Sequence, residues 1–176
     1  MNRVFSIFIL LIFTYSCSDN KEPAIEIKAE LIVEREYDVE FIRNEISIIS
    51  DLFNYDDLDL SDNEILKLNE LEIESINITF EDFTGDSGGL FFNLELGDYN
   101  DRPFKAEFKV DDIINFISNK EKISLSNFFN LNDLSELFLE NEFLSVVGII
   151  KSENIEPLPA KMIVKIQIVL NAEISD

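Results

Sequence analysis

The sequence predicts a mainly β protein, an antiparallel β-sandwich with one or two short connecting helices. Apolar residues recur at every second position in several separate runs, which is the period of a half-buried strand. Reversals rich in Gly and Asp stand between those runs, and only brief stretches carry the spacing of a helix. Hydrophobic residues make up 46% of the 176, with 16 Phe, so a large core is available although Trp is absent.

The first alternating run opens at Ala24, with Ile25, Ile27, Ala29, Leu31 and Val33 on one side and Glu26, Lys28, Glu30 and Glu34 on the other. Tyr37 to Asn54 is less regular and divides into a strand over Val39 to Ile49 and a loop. Ser61-Asp62-Asn63-Glu64 has the spacing of a capping box and predicts a short helix there. Three further runs place Ile76, Ile78 and Phe80, then Leu90, Phe92, Leu94 and Leu96, then Phe104, Ala106, Phe108 and Val110 on their apolar phases. Gly85-Asp86-Ser87-Gly88-Gly89 and Gly97-Asp98-Tyr99-Asn100-Asp101 separate them, so the three are expected to form an antiparallel meander. Asn132 to Asn141 reads as a helix with Leu131, Leu134, Leu137 and Phe138 on one stripe. Phe143 to Ile150, apolar on both faces, predicts a central strand. Met162, Val164, Ile166, Ile168 and Leu170 predict the last strand, and Pro157 and Pro159 mark the connection between the two because neither can donate to a ladder. The total is six to eight strands.

Ahead of the first strand lies a different kind of segment. Arg3 precedes an apolar run from Val4 to Phe13, and Thr14-Tyr15-Ser16-Cys17 follows it. About ten apolar residues are too few to span a bilayer, which needs roughly twenty, so the pattern predicts a cleaved signal peptide. Ser16-Cys17 resembles the lipobox of bacterial lipoproteins, in which a small residue precedes the Cys that becomes acylated. Thr14 and Tyr15 depart from the usual Leu and small residue, a departure commoner in the looser lipoboxes of Bacteroidota. The resemblance implies a covalent lipid on Cys17 and an outer-membrane location. Residues 1–16 are then the signal, 17–23 the acylated Cys and a polar tether, and 24–176 a single β-sandwich domain. Ser18-Asp19-Asn20-Lys21-Glu22 is similar to the acidic stretch that directs Bacteroidota lipoproteins to the cell surface, with the periplasmic face as the alternative destination.

Composition narrows the chemistry. There are 36 Asp and Glu against 14 Lys and Arg, a net charge of −22, which becomes −23 once Arg3 leaves with the signal. Such a field repels phosphate backbones, which argues against nucleic-acid partners and for a protein partner with a basic surface. The chain has no His, and its one Cys is the lipidation candidate. A Ser-His-Asp triad, a cysteine nucleophile and an imidazole-bound zinc site are therefore excluded, and no disulfide can form within the chain.

Carboxylates remain as candidates. Asp57-x-Asp59-x-Ser61 imitates the opening of an EF-hand loop, with Asp62 close by, so Asp57, Asp59 and Asp62 are the candidate calcium ligands. The imitation breaks where such a loop needs Gly, at Asp62, and a bidentate carboxylate, at Leu68. Glu81, Asp82 and Asp86 around one turn, and Asp98 and Asp101 around another, are candidate acid and base pairs for a hydrolase. Acidic turn residues equally serve backbone hydrogen bonding, and carbohydrate-stacking aromatics are scarce, with no Trp and 4 Tyr.

The run from Leu71 to Asp86, LEIESINITFEDFTGD, resembles a pattern in small flavobacterial lipoproteins, where an Ile-x-Ser-Ile-x-Ile strand leads into a Gly-Asp turn. The Leu-rich stretch 134–139 followed by Val146-Val147-Gly148 is similar to the later part of the same pattern. The resemblance implies a β-sandwich lipoprotein and carries no activity with it. The expectation is a non-enzymatic accessory or binding subunit of an envelope complex at the outer membrane, with no cofactor beyond the lipid. Alternatives are a surface module that binds calcium, a glycan or a small apolar ligand in the Phe-rich interior, and a carboxylate-dependent hydrolase.

Overall fold

Residues 26–43, 46–58, 60 and 68–175 are described by the computed structural model. The signal segment, Cys17, the tether, Asp59, Asp62 and the capping box at Ser61 lie outside the described residues. Alternation builds two four-stranded antiparallel sheets that enclose one core. In chain order the elements are β1 (Glu26–Phe41), β2 (Ile46–Asn54), a 3-10 turn (Tyr55–Leu58), β3 (Leu68–Glu81), β4 (Ser87–Gly97) and β5 (Phe104–Val110). There follow α1 (Ile113–Ser118), β6 (Ile123–Ser124), a second 3-10 turn (Leu125–Asn127), α2 (Leu131–Asn141), β7 (Phe143–Glu156) and β8 (Ala160–Ser175). One sheet has the order β1-β8-β3-β6 and the other β2-β7-β4-β5. The expected β-sandwich is the observed architecture.

The inner faces follow the apolar phase. On β8 every second residue from Ala160 to Ile174 is buried, and on β4 Leu90, Phe92, Leu94 and Leu96 are buried while Phe91 stays 43% exposed. Phe92 lies opposite Phe108 on β5, their rings stacked at 4.9 Å. β7 is central, between β2 and β4, as its apolar character on both faces requires. Gly148 on β7 sits where a Cβ would come within 2.6 Å of the Ile49 side chain and 3.2 Å of Phe92, so only Gly fits beneath the packed layer.

Two sequence expectations change. The meander of three strands is instead a hairpin of two, β4 and β5, because β3 belongs to the opposite sheet. Residues 82–86 form a corner that carries the chain across the sandwich: Thr84 N donates to Lys161 O at 2.9 Å in one sheet and Asp86 N to Glu156 O at 2.7 Å in the other. Alternation reports which residues face inward but not which strand is the neighbour, so a corner and a hairpin turn look alike in the sequence. The strand expected over Val39 to Ile49 is also replaced. β1 continues to Phe41 with Val39 and Phe41 buried, the chain bends at Ile42 and Arg43, and a new strand starts at Ile46.

The helices cover one open side. α2 occupies the predicted stretch, capped by Asn130, whose side chain accepts from Asn132 N at 3.0 Å, and it buries Leu134, Ser135 and Phe138. Ser135 Oγ accepts from Ile73 N at 2.8 Å and so satisfies an amide on the edge of β3. α1 was not foreseen, although Asp112 caps it by accepting from Asn115 N at 3.0 Å and Ile113 and Phe116 have helical spacing.

Candidate functional site

β1 and β2 face each other as edge strands of opposite sheets, and the gap between them holds a charged cluster. Arg35 occupies the inward phase of β1, between Val33 and Tyr37, and Asp51 occupies the inward phase of β2, between Ile49 and Phe53. The guanidinium Nε lies 3.6 Å from Asp51 Oδ2, and Nη2 donates to Asp57 Oδ1 from the 3-10 turn. The same guanidinium stands 5.6 Å above the Phe53 ring. Tyr37 Oη donates to Asp51 Oδ2 at 2.9 Å, while Leu52 N and Asn54 N donate to Asp51 and Asp57 at 2.8 and 3.0 Å. Side-chain exposure of 23% for Arg35, 32% for Asp51 and 18% for Asp57 puts all three in partly desolvated positions. Burial, with the Asp51 carboxylate beside it, pushes the Tyr37 phenol well above its ordinary range, since ionisation would place a second anion against Asp51.

This geometry gives Asp57 two partners. Its carboxylate is engaged by a guanidinium and a backbone amide, the position in which the sequence reading placed a calcium ligand. Asp59 and Asp62 lie outside the described residues, and among the described residues no group of three or more His, Cys, Asp or Glu is arranged to hold a metal ion. The cluster carries one cation and two carboxylates and stitches the two edge strands together. Sequence reasoning missed Arg35. The available signal was a cation on the apolar phase of an otherwise regular strand.

The turn carboxylates separate into two remote groups. Glu81, Asp82 and Asp86 lie at the start of β4 and Asp98 and Asp101 at its far end, some 33 Å away at about 3.3 Å per residue. Asp98 Oδ1 accepts from Asn100 N at 2.5 Å and Asp101 N at 2.6 Å, and these bonds hold its carboxyl below the usual range. An open cleft of about 700 Å³ adjoins the first group, lined by Asp86, Ser87 and residues 154–158, and lies outside the Phe-rich interior.

The outer faces of the two sheets differ in charge. On the β1-β8-β3 face every outward residue of β1 from Glu34 to Glu40 is acidic, joined by Glu72, Glu81 and Glu173, against Lys28, Lys161 and Lys165. Lys165 reaches Glu36 at 2.8 Å and Glu81 at 3.0 Å, which raises its pKa above the ordinary lysine range. On the β2-β7-β4-β5 face the outward residues include Ile46, Ile48, Val147, Ile149 and Phe91, with Lys105, Lys109 and Lys151 among them. Lys105 pairs with Glu95, and Lys109 with Asp111 and Glu153.

No family model matches the chain, and no curated protein does. Among solved structures it is similar to the decameric BFDV capsid protein, with a TM-score of 0.43 and 11% identity over 82% of this chain and 99% of that one. Desmodium yellow mottle tymovirus gives a TM-score of 0.37 and 8% identity over 100% of this chain and 96% of that one. Likenesses this distant carry no information about function.

Proposed function

We propose that this protein is an outer-membrane lipoprotein, anchored by a lipid on Cys17 and displayed at the cell surface, that serves without catalysis as an accessory or binding subunit of an envelope protein complex. The observation that supports the reading best is the sorting of charge. One broad sheet face is acidic at each outward position of its edge strand from Glu34 to Glu40, while the opposite face is more apolar and carries Lys105, Lys109 and Lys151 balanced by Glu95, Glu107 and Glu153. A predominantly acidic face complements a basic protein surface, and such complementarity governs rate and specificity of association. The turn carboxylates, by contrast, sit in two remote groups, and Asp98 is committed to holding its own turn.

The test has two arms. Cys17→Ser should move the protein from the membrane pellet to the soluble fraction; retention of that variant in the pellet after a high-salt wash refutes the anchor. A tagged copy purified in mild detergent should retain a protein partner at low salt and lose it as the Debye length falls from about 10 Å at 0.1 M to about 3 Å at 1 M. Recovery of the protein without a partner at low salt removes the accessory-subunit reading.

A further inference from the structure

We infer that β2 is a self-association edge, through which two copies of this chain pair antiparallel and extend the β2-β7-β4-β5 sheet into one continuous sheet of twice the width. A sheet edge presents unpaired backbone amides and carbonyls, and proteins that remain monomeric blunt it with charge, Pro, bulges or a covering element. The other edges here are blunted in those ways. β1 has acidic residues at each outward position from Glu34 to Glu40, and β5 has Lys105, Glu107 and Lys109. β6 has two residues, and the β3 edge beyond it is met by the Ser135 hydroxyl of α2.

Among the described residues, none of these devices blunts β2 over its first half. It pairs with β7 on one side alone, in a register without a bulge from Ile46 to Asn54. Its nine residues, ISIISDLFN, contain no Pro, Gly or Lys. The one charge, Asp51, points into the sandwich and is held by Tyr37 and Arg35, so the net charge of the chain is not expressed along this edge. Ile46 and Ile48 are 59% and 66% exposed on the outer face, where Ile48 lies opposite Ile149 of β7.

The strand is also complementary to itself, which favours a second copy over a foreign strand. With the two-fold axis at Ile49, Ile48 meets the small Ser50 of the other copy and Ile46 meets the side chain of Leu52; the Leu52 amide is already bonded to Asp51 Oδ1 at 2.8 Å, so the new backbone bonds fall at Ile48 and Ser50. An isologous interface needs this kind of reciprocal match. The axis is perpendicular to the sheet, so the two Glu26 ends point in opposite directions. Both copies still reach one membrane if the dimer lies flat, because the eight residues between Cys17 and Glu26 span up to about 28 Å when extended.

Sedimentation equilibrium of the full chain in mild detergent tests the proposal. A monomer–dimer equilibrium is expected, and it should tighten as salt screens the like charge of the two copies, the opposite sign to association with a basic partner. Ile48→Lys should raise the dimer dissociation constant about tenfold or more without lowering the melting temperature measured at concentrations where both proteins are monomeric, whereas Ile32→Lys, at an exposed position on β1, should leave the dissociation constant unchanged. In a Cys17→Ser background, Ile48→Cys with Ser50→Cys should give a disulfide-linked dimer on mild oxidation. A monomer at every concentration and salt, or a dimer indifferent to Ile48→Lys and not captured by the paired cysteines, overturns the inference.

Discussion

Between β1 and β2 the gap between the sheets is bridged by Arg35, Asp51, Asp57 and Tyr37, whereas on the side of β5 it is filled by phenylalanines from β3, β4, β5, α1 and the segment ahead of α2. On the aromatic side Phe92 stacks on Phe108, Phe80 lies 5.3 Å from Phe116, and Phe104 and Phe108 meet Phe129 and Phe128 at 5.5 and 6.2 Å. Apolar closure draws on area removed from water and tolerates some change of shape. Ionic closure depends on every charge keeping its partner, since a partly desolvated carboxylate left alone is costly. The two sides should therefore fail differently: the aromatic side in proportion to the volume deleted, the ionic side according to which partner is removed.

The largest effect is expected on the aromatic side. Phe92→Ala removes a fully buried ring between Phe80 and Phe108 and should cost about 3 to 5 kcal/mol, read as a fall in melting temperature or in urea midpoint. Phe91→Ala, one residue away on the exposed phase, should cost about 0.5 kcal/mol or less. Equal losses would contradict the register of β4.

Next comes the ionic side. Arg35→Met keeps most of the side-chain bulk but leaves Asp51 and Asp57 without their cation. A fully buried pair broken in this way loses about 3 to 5 kcal/mol, and the residual exposure of all three groups brings the expectation down to about 1 to 3 kcal/mol. In a double-mutant cycle, adding Asp51→Asn should recover part of the loss, because the second change removes one stranded charge. Strict additivity would mean that Arg35 acts through packing on Phe53 alone.

Ser135→Ala tests the polar detail within the aromatic side. The hydroxyl is the acceptor for Ile73 N, and without it a buried amide at the β3 edge lacks a partner. A loss of about 1 to 2 kcal/mol is expected, together with faster hydrogen exchange at Ile73. Unchanged exchange there would show that another acceptor takes over.

The contrast also explains what could be read from the sequence. The phenylalanine side was legible because Phe80, Phe92 and Phe108 fall on strict alternation, and α2 because Leu134 and Phe138 keep helical spacing. The assignment of β3 to the opposite sheet was not legible, since pairing partners leave no trace in a period of two. The ionic side was hidden for a related reason. The spacing of Asp57 to its neighbours gives it the pattern of a candidate calcium ligand, while its pairing with Arg35, 22 residues away, comes from the fold. Local pattern registers that Arg35 is out of place on an apolar phase and is blind to the carboxylates that balance it. α1, six residues long, is too short for its periodicity to stand out.

Apart from the Phe91→Ala control, the smallest effect at neutral pH belongs to Tyr37, and its sign at alkaline pH distinguishes the ionic side from the aromatic one. Burial and the adjacent Asp51 carboxylate raise the phenol above its ordinary value of 10.0, so the folded protein holds that proton more tightly than the unfolded chain does. The stability linked to this difference is fully present below the unfolded value and is lost as pH rises through and beyond 10.0. Tyr37→Phe removes the titrating group together with one hydrogen bond, at a cost of about 1 kcal/mol near neutrality. Above the ordinary phenol range the variant should lose stability less steeply than the parent, because one proton fewer separates the folded and unfolded states. Tyr55, also raised by its own burial near Glu142, retains its share of the slope in both proteins. Urea midpoints measured in steps through the alkaline range provide the comparison, with ultraviolet absorbance of ionised phenols as a second readout. A Phe92→Ala protein should be weaker at every pH but keep the parent's alkaline slope, whereas Tyr37→Phe should alter the slope itself. Parallel curves for parent and Tyr37→Phe would mean that neither burial nor Asp51 raises the phenol in the folded protein, against the geometry of the cluster.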